Sequence, residues 1–71
     1  MADRCVILGR KSPKQPWELL YICEETEDAF ELAAGIEDQE HNLLKAKEYK
    51  CCVMSEDDYD AKKFRPLKHR V

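Results

Sequence analysis

Four cysteines and two histidines are the residues of this 71-residue chain best suited to metal or thiol chemistry: Cys5, Cys23, Cys51, Cys52, His41 and His69. They could supply the four ligands of a tetrahedral zinc site. Zinc ribbons and fingers, however, take their cysteines in pairs two to four residues apart at turns, and these cysteines lie singly or directly adjacent. Adjacent side chains on a strand point to opposite faces. We therefore expect no metal, no cofactor, and free thiols packed as small apolar side chains.

Catalysis by a cysteine or by paired carboxylates has little support in the sequence. A nucleophilic thiol needs a lowered pKa, which a helix N-terminus, a cation or a histidine can supply, and nothing places His41 or His69 beside a thiol. The 15 carboxylates lie in surface runs rather than in a cleft that would tune their pKa values. Gly9 and Gly35 are isolated, so no phosphate-binding loop is present. We expect a protein that is not an enzyme.

Negative charge is concentrated in two segments of the chain, whose formal net charge is -3. Eight carboxylates lie within residues 24–40, and four more within residues 56–60. Few lysines are interleaved, so a negative field should form on one side of the molecule. Such a pattern is typical of a solvated helix face or of a surface that docks on a basic partner protein. The candidate partner-binding carboxylates are Glu27, Asp28, Glu31 and Asp38.

Positive charge is concentrated in the first loop and at the C-terminus, where the basic residues are Lys62, Lys63, Arg65, Lys68 and Arg70. A basic tail can neutralise several phosphates of a nucleic acid. The chain as a whole is acidic, however, and the sequence shows no platform of aromatic residues interleaved with basic ones. Direct nucleic-acid binding is therefore the weaker interpretation, and the tail could equally fold back over the protein's own acidic helices.

Apolar runs predict strands over residues 4–10, 17–24 and 48–54. Strict alternation in the second strand would put Trp17, Leu19 and Tyr21 on one face and Leu20 and Ile22 on the other. These three residues could belong to the core, or they could anchor a partner if their face is uncovered, because aromatic side chains concentrate interface energy. Since both faces carry apolar residues, one side of the sheet must be hidden by a tail, a second subunit or a partner.

Helical spacing of apolar residues predicts the main helix over residues 26–40, with Thr26 as its N-cap. Continuing the helix would put Glu40 in the middle of the apolar stripe, so we expect it to end at about that residue. Leu43 and Leu44, in the connection that follows, should close the open end of the core.

A second, short helix is predicted over residues 56–63, because Ser55 and Asp58 form a capping box. The expected fold is therefore a small α+β domain of β-β-α-β order, with a three-stranded, mainly antiparallel sheet, one main helix on one face and a short C-terminal helix. Strand order stays open. Residues 1–64 would form this single domain and residues 65–71 a basic flexible tail.

No apolar run is long enough to cross a bilayer and the N-terminus lacks a signal peptide, so we expect a cytoplasmic protein. In size and acidity the chain is similar to accessory proteins of phages and mobile elements that bind and inhibit host machinery, although no motif matches. The sequence favours a non-enzymatic protein-protein interaction module, most concretely a small acidic inhibitor or regulator of a nucleic-acid-handling complex, which could form a homodimer. The alternatives are a nucleic-acid-associated regulator that binds through its basic tail and a thiol- or metal-binding protein.

Overall fold

The computed structural model describes residues 4–68, which form an antiparallel sheet with a helix element on each side. The elements are β1 (Cys5–Arg10), β2 (Glu18–Cys23), α1 (Thr26–Asn42), β3 (Lys50–Ser55) and α2 (Glu56–Asp60). The strand order is β2-β1-β3, with β1 antiparallel to both neighbours. The predicted α+β fold, with one main helix and a short C-terminal helix, is confirmed. Of the two strand orders that the sequence left open, β3 returns beside β1.

The central strand β1 is apolar on both faces because both of its faces are covered. Cys5 and Ile7 pack with Ala29 and Ala33 of α1 and Val53 of β3, and this cluster defines the helix face of the sheet. A second buried cluster of Val6, Leu8 and Met54 defines the opposite face. The small side chains of the two alanines let α1 lie close to the sheet. Most apolar burial, and with it most of the stabilisation, is therefore centred on β1.

The start of α1 differs from the prediction, because Thr26 is the first helical residue rather than the N-cap. Glu25 occupies the cap position, and no side chain caps the helix there. The Thr26 hydroxyl oxygen instead lies 3.3 Å from Cys5 Sγ, so it faces the sheet rather than the free N–H groups of the helix.

The end of α1 also differs, since the helix continues through Glu40 to Asn42. Glu40 is half-buried, and it lies beyond the apolar core, beside a polar groove of about 370 Å³ that Gly9, Lys11 and Tyr49 also line. The carboxylate therefore faces polar groups and does not interrupt the core.

A β-bulge in β2 overturns the predicted alternation of that strand. Tyr21 and Leu19 oppose consecutive residues of β1, so Leu20 is an extra residue on β2. Leu20 packs against the helix-face core, and Tyr21 lies on the same face because it opposes Ile7. Leu19 and Ile22 lie on the opposite face. The predicted stripe of Trp17, Leu19 and Tyr21 on one face is therefore wrong, as is the pairing of Leu20 with Ile22.

The chain itself covers the centre of the opposite face. Ser55 caps α2 as predicted, accepting a hydrogen bond from Asp58 N–H at 3.2 Å. α2 ends at Asp60, three residues before its predicted end, because the chain turns at Lys62, whose φ is 60°. The turn brings Phe64 against Trp17, next to the buried opposite-face cluster.

The segment after Phe64 runs beside β3, where Leu67 N–H donates to Val53 O at 2.7 Å. Flexibility of residues 65–71 stays a prediction, and its last part, including Arg70, lies outside the described residues. Leu43 and Leu44 are 70% and 64% exposed, so the prediction that they close the core is wrong. No helix within residues 4–68 has the length and apolar character that crossing a bilayer requires.

Candidate protein-interaction surface

The outer surface of α1 carries carboxylates that form no ion pair with any of residues 4–68. Glu27, Asp28, Glu31 and Asp38 are all exposed, and the helix contains neither Lys nor Arg. Within residues 4–68 the one ion pair joins Arg4 to Glu56, at the start of α2. Asp38 accepts a hydrogen bond from Asn42 Nδ2 at 2.7 Å, one turn further along the helix. The remaining three carboxylates face solvent and leave this side of the molecule negative.

The side of α1 that faces β3 is closed by hydrogen bonds within the chain. Glu37 Oε2 accepts from Cys51 N–H at 2.8 Å, and His41 Nε2–H donates to Tyr49 O at 2.7 Å. Further along the same strand, Val53 O accepts from Leu67 N–H. Tyr49 O, Cys51 N–H and Val53 O on the outer edge of β3 thus have partners within the chain, so this part of the edge is not open to another chain.

The side of α1 that faces β2 is open. β2 pairs with β1 on one side, and among residues 4–68 no strand pairs with its other side. Tyr21 is 55% exposed and Ile22 49% exposed. Asp28 lies in the first turn of α1, which begins three residues after the end of β2. Burial raises the pKa of the Cys23 thiol, and the charge of Asp28 raises it further. Leu32 lies one helical turn after Asp28, on the same side of α1, and is 39% exposed.

Four residues border the outer edge of β2 and define what we call the β2 edge surface: Tyr21, Asp28 and Leu32 on the helix face, and Ile22 on the opposite face. It combines an unpaired strand edge, three partly exposed apolar side chains and a carboxylate. Leu32 shares helical spacing with the buried Ala29 and Ala33, but a three-stranded sheet is too narrow to cover the whole apolar side of α1. The exposure of Ile22 follows from the position of β2 at the edge, which the sequence could not reveal while strand order was open.

The residues predicted to bind a partner do not form one surface. Tyr21 on β2 and Asp28 on α1 both border the β2 edge, and Glu27 and Glu31 adjoin Asp28 along the helix. Trp17 and Leu19 lie across the sheet, on the opposite face.

Trp17 belongs instead to an aromatic and basic cluster that sequence inspection had not found. Its ring stacks on Phe64 with centroids 5.7 Å apart, and Arg10 Cζ lies 4.3 Å from the Trp17 ring centroid. Lys62 and Lys63 line a groove of about 430 Å³ beside Phe64. Only the fold reveals the cluster, because its members come from β1, the start of β2 and the segment after α2.

The four thiols are free, and the surroundings of Cys51 and Cys52 favour the protonated form. Burial raises the pKa of Cys51 to about 12, with a further contribution from Glu37. Burial also raises the pKa of Cys52 to about 11, although Arg10 partly opposes this shift. Neither thiol has the lowered pKa that a nucleophile requires. Across residues 4–68 no three side chains of His, Cys, Asp and Glu are grouped so that they could hold a metal ion.

Comparisons with family models, curated proteins and solved structures find no significant match. Functional inference therefore rests on the chemistry of these surfaces.

Proposed function

We propose that this protein is a non-enzymatic interaction module that binds a basic surface of another protein through α1 and the β2 edge surface. The observation that carries the proposal is the exposed row of Glu27, Asp28 and Glu31, which has no cation beside it in residues 4–68. If α1 only covered the sheet and faced solvent, lysines among its carboxylates would stabilise it, because Glu and Lys at i, i+4 spacing form favourable pairs. α1 has none.

Charge alone would raise the association rate and the selectivity for basic partners, but it would not give a high affinity. Exposed ion pairs contribute about 0.2–1 kcal/mol each, so three of them contribute about 3 kcal/mol at most. Complementary charge mainly raises the association rate and rejects acidic partners. Tyr21 and Leu32 supply the apolar anchors that a stable complex also needs, since interface energy concentrates in a few such side chains.

The most concrete version of the proposal is a small acidic inhibitor or regulator of a nucleic-acid-handling complex. Proteins that hold nucleic acid present lysines and arginines to the phosphates. A row of exposed carboxylates on a helix can occupy such a basic groove in place of the phosphates. The affinity of this complex would fall with rising salt, as expected for contacts between exposed charges.

Matched charge reversals test the proposal. In one variant Glu27, Asp28 and Glu31 become Lys; in the control Glu48, Asp57 and Asp60, which are also exposed, become Lys. Both change the net charge equally, and circular dichroism checks that both fold. Partners captured from a lysate of the native host are identified by mass spectrometry. Proteins retained by the wild type and the control but lost by the α1 variant support the proposal, whereas an unchanged set of partners contradicts it.

A second candidate function, association with nucleic acid, is favoured by one observation: the Trp17–Phe64 stack lies beside Arg10, Lys62 and Lys63. Aromatic rings with flanking cations form the platforms on which single-stranded bases stack. Phe64 is 53% exposed and is the ring most open to a base.

The candidate is tested by mobility shift with single-stranded DNA and RNA at low salt. Phe64→Leu keeps an apolar side chain but removes the ring, and it should abolish a shift that depends on stacking. A variant with four basic residues changed to Gln should bind every nucleic-acid sequence more weakly; the changed residues are Lys62, Lys63, Arg65 and Lys68. Absence of any shift by the unmodified protein would reject this function.

A further inference from the structure

We infer that β2 binds an extended segment of the partner protein as a fourth strand, and that this segment carries Lys or Arg among apolar residues. The inference rests on the proposed function and specifies how the partner is held. Strand addition is a common mode of peptide recognition, in which backbone hydrogen bonds give affinity and alternate side chains give specificity.

The two edges of the sheet differ in a way that points to β2. The β3 edge is closed by Glu37 and by the segment containing Leu67, whereas the β2 edge has no partner within residues 4–68. Edge strands are usually protected by lysine, by proline or by being very short. β2 is six residues long and contains neither lysine nor proline. Its protective features are the charge of Glu18 and the bulge at Leu20, which leaves Tyr21–Cys23 as the regular part of the edge.

The protein's own C-terminal segment shows that this fold can hold an extended chain between α1 and a sheet edge. Pro66 and Leu67 form one wall of a groove of about 370 Å³ whose other walls include Phe30 and Ala33 of α1 and Val53 of β3. Leu67 makes a backbone hydrogen bond to Val53 of that edge. On the other side of α1, Leu32 and Tyr21 are 39% and 55% exposed.

The charge around β2 decides which occupant fits. Glu18 begins the strand, Glu24 and Glu25 follow it, and Asp28 stands on the α1 side. A segment with Lys or Arg would meet these carboxylates. A second copy of β2 fits poorly, because antiparallel pairing along the whole strand would bring Glu18 of each copy close to Glu24 of the other. Like charges at such cross-strand positions are destabilising.

The probe for the test is a library of random 12-residue peptides displayed on phage and selected on the immobilised protein. We expect enrichment of peptides in which apolar residues alternate with others and Lys or Arg recurs. A selected peptide is then synthesised with each backbone nitrogen methylated in turn. Strand addition predicts at least tenfold weaker binding at every second residue and little change at the residues between. This readout does not depend on any variant of the protein folding.

Protein variants locate the site. Leu32→Asp should weaken peptide binding at least tenfold, and Leu43→Asp, at an exposed leucine beyond the end of α1, should not. Tolerance of methylation at all positions would overturn strand addition. The peptide could tolerate methylation at all positions and still lose affinity when Glu27, Asp28 and Glu31 become Lys. Strand addition would then be wrong, but docking on the acidic helix would stand. Failure of the selection to enrich any peptide would also overturn the inference. So would sedimentation that shows a dimer which Ile22→Lys dissociates, because a second copy would then occupy the β2 edge.

Discussion

Gly9 is the position where the packing of the fold is most sharply testable. It lies in β1, on the helix face, opposite Cys51 of β3 and Glu18 of β2. A Cβ added there would collide with the hydroxyl oxygen of Tyr49 and lie 2.8 Å from Leu20 Cδ1. Both contacts are too close for a carbon atom, so Gly9→Ala forces the side chains of Tyr49 and Leu20 to shift.

The cost should be that of overpacking, about 1–3 kcal/mol of the free energy of unfolding. The total stability of a chain of this length is expected to be about 4–10 kcal/mol, so the loss is a large fraction of it. In a domain of this size each kcal/mol corresponds to about 4–8 °C in the melting temperature. Urea denaturation followed by circular dichroism and a thermal melt would both resolve the change.

Gly35 gives the matched control. A Cβ at Gly35 would have no atom within 4 Å, and its φ is not positive. Gly35→Ala should therefore stabilise the protein by about 0.5–1 kcal/mol, because alanine favours the helix. Adding Tyr49→Phe should recover part of the loss in Gly9→Ala, since it removes the nearest atom. A neutral Gly9→Ala, or equal effects of the two alanines, would refute the packing of Tyr49 over β1.

Three further predictions concern the turn after α2, the β3 edge and the thiols. Lys62→Gly should stabilise the protein by about 0.5–1 kcal/mol in urea denaturation, because Lys62 has a positive φ that glycine adopts without strain. Glu37→Ala should destabilise it by about 1–3 kcal/mol in the same assay, because Cys51 N–H loses its acceptor, whereas Glu31→Ala should change stability by less than about 0.5 kcal/mol. In Ellman's assay at pH 8, Cys51 and Cys52 should be about 1,000-fold and 100-fold less ionised than a thiol of pKa 9.0 and correspondingly slow to react. Both pKa values are higher in the folded state than the 9.0 of an ordinary thiol, so the folded state keeps these thiols protonated to higher pH than the unfolded state does. Their contribution to the free energy of unfolding is therefore fully present below about pH 9 and is lost as the pH rises to 11–12. Fast labelling of Cys51 and Cys52 in the native state would contradict the burial of the thiols. So would a free energy of unfolding that rises between about pH 9 and pH 12 on account of these residues.

The elements themselves could be predicted from the sequence because local signals for them agree. β1 is a continuous apolar run, and the alternation of Cys51, Cys52 and Val53 correctly assigns the faces of β3. The Ser55 cap correctly marks the start of α2. These signals depend only on neighbours within a few residues, which is why they do not require knowledge of the fold.

What could not be predicted depends on contacts between distant segments. The extra residue at Leu20 is visible only against the register of β1, since β2 by itself reads as a regular alternating strand. The stack of Phe64 on Trp17 joins residues far apart in the chain. The exposure of Leu32 depends on how wide the sheet is, and that width depends on strand order.

Strand order also decides which side of the protein is left to bind something else. With β1 in the centre, β3 lies where Glu37 and the segment around Leu67 can complete its outer edge. β2 is left at the other edge, next to the side of α1 that carries Asp28. Had β3 paired with β2 instead, β1 would have been an edge strand, and its apolar residues on both faces would have been partly exposed. The observed order buries the most hydrophobic strand and leaves at the free edge the strand flanked by glutamates. Undirected edge-to-edge association between copies is thereby disfavoured, while a basic segment can still pair with that edge.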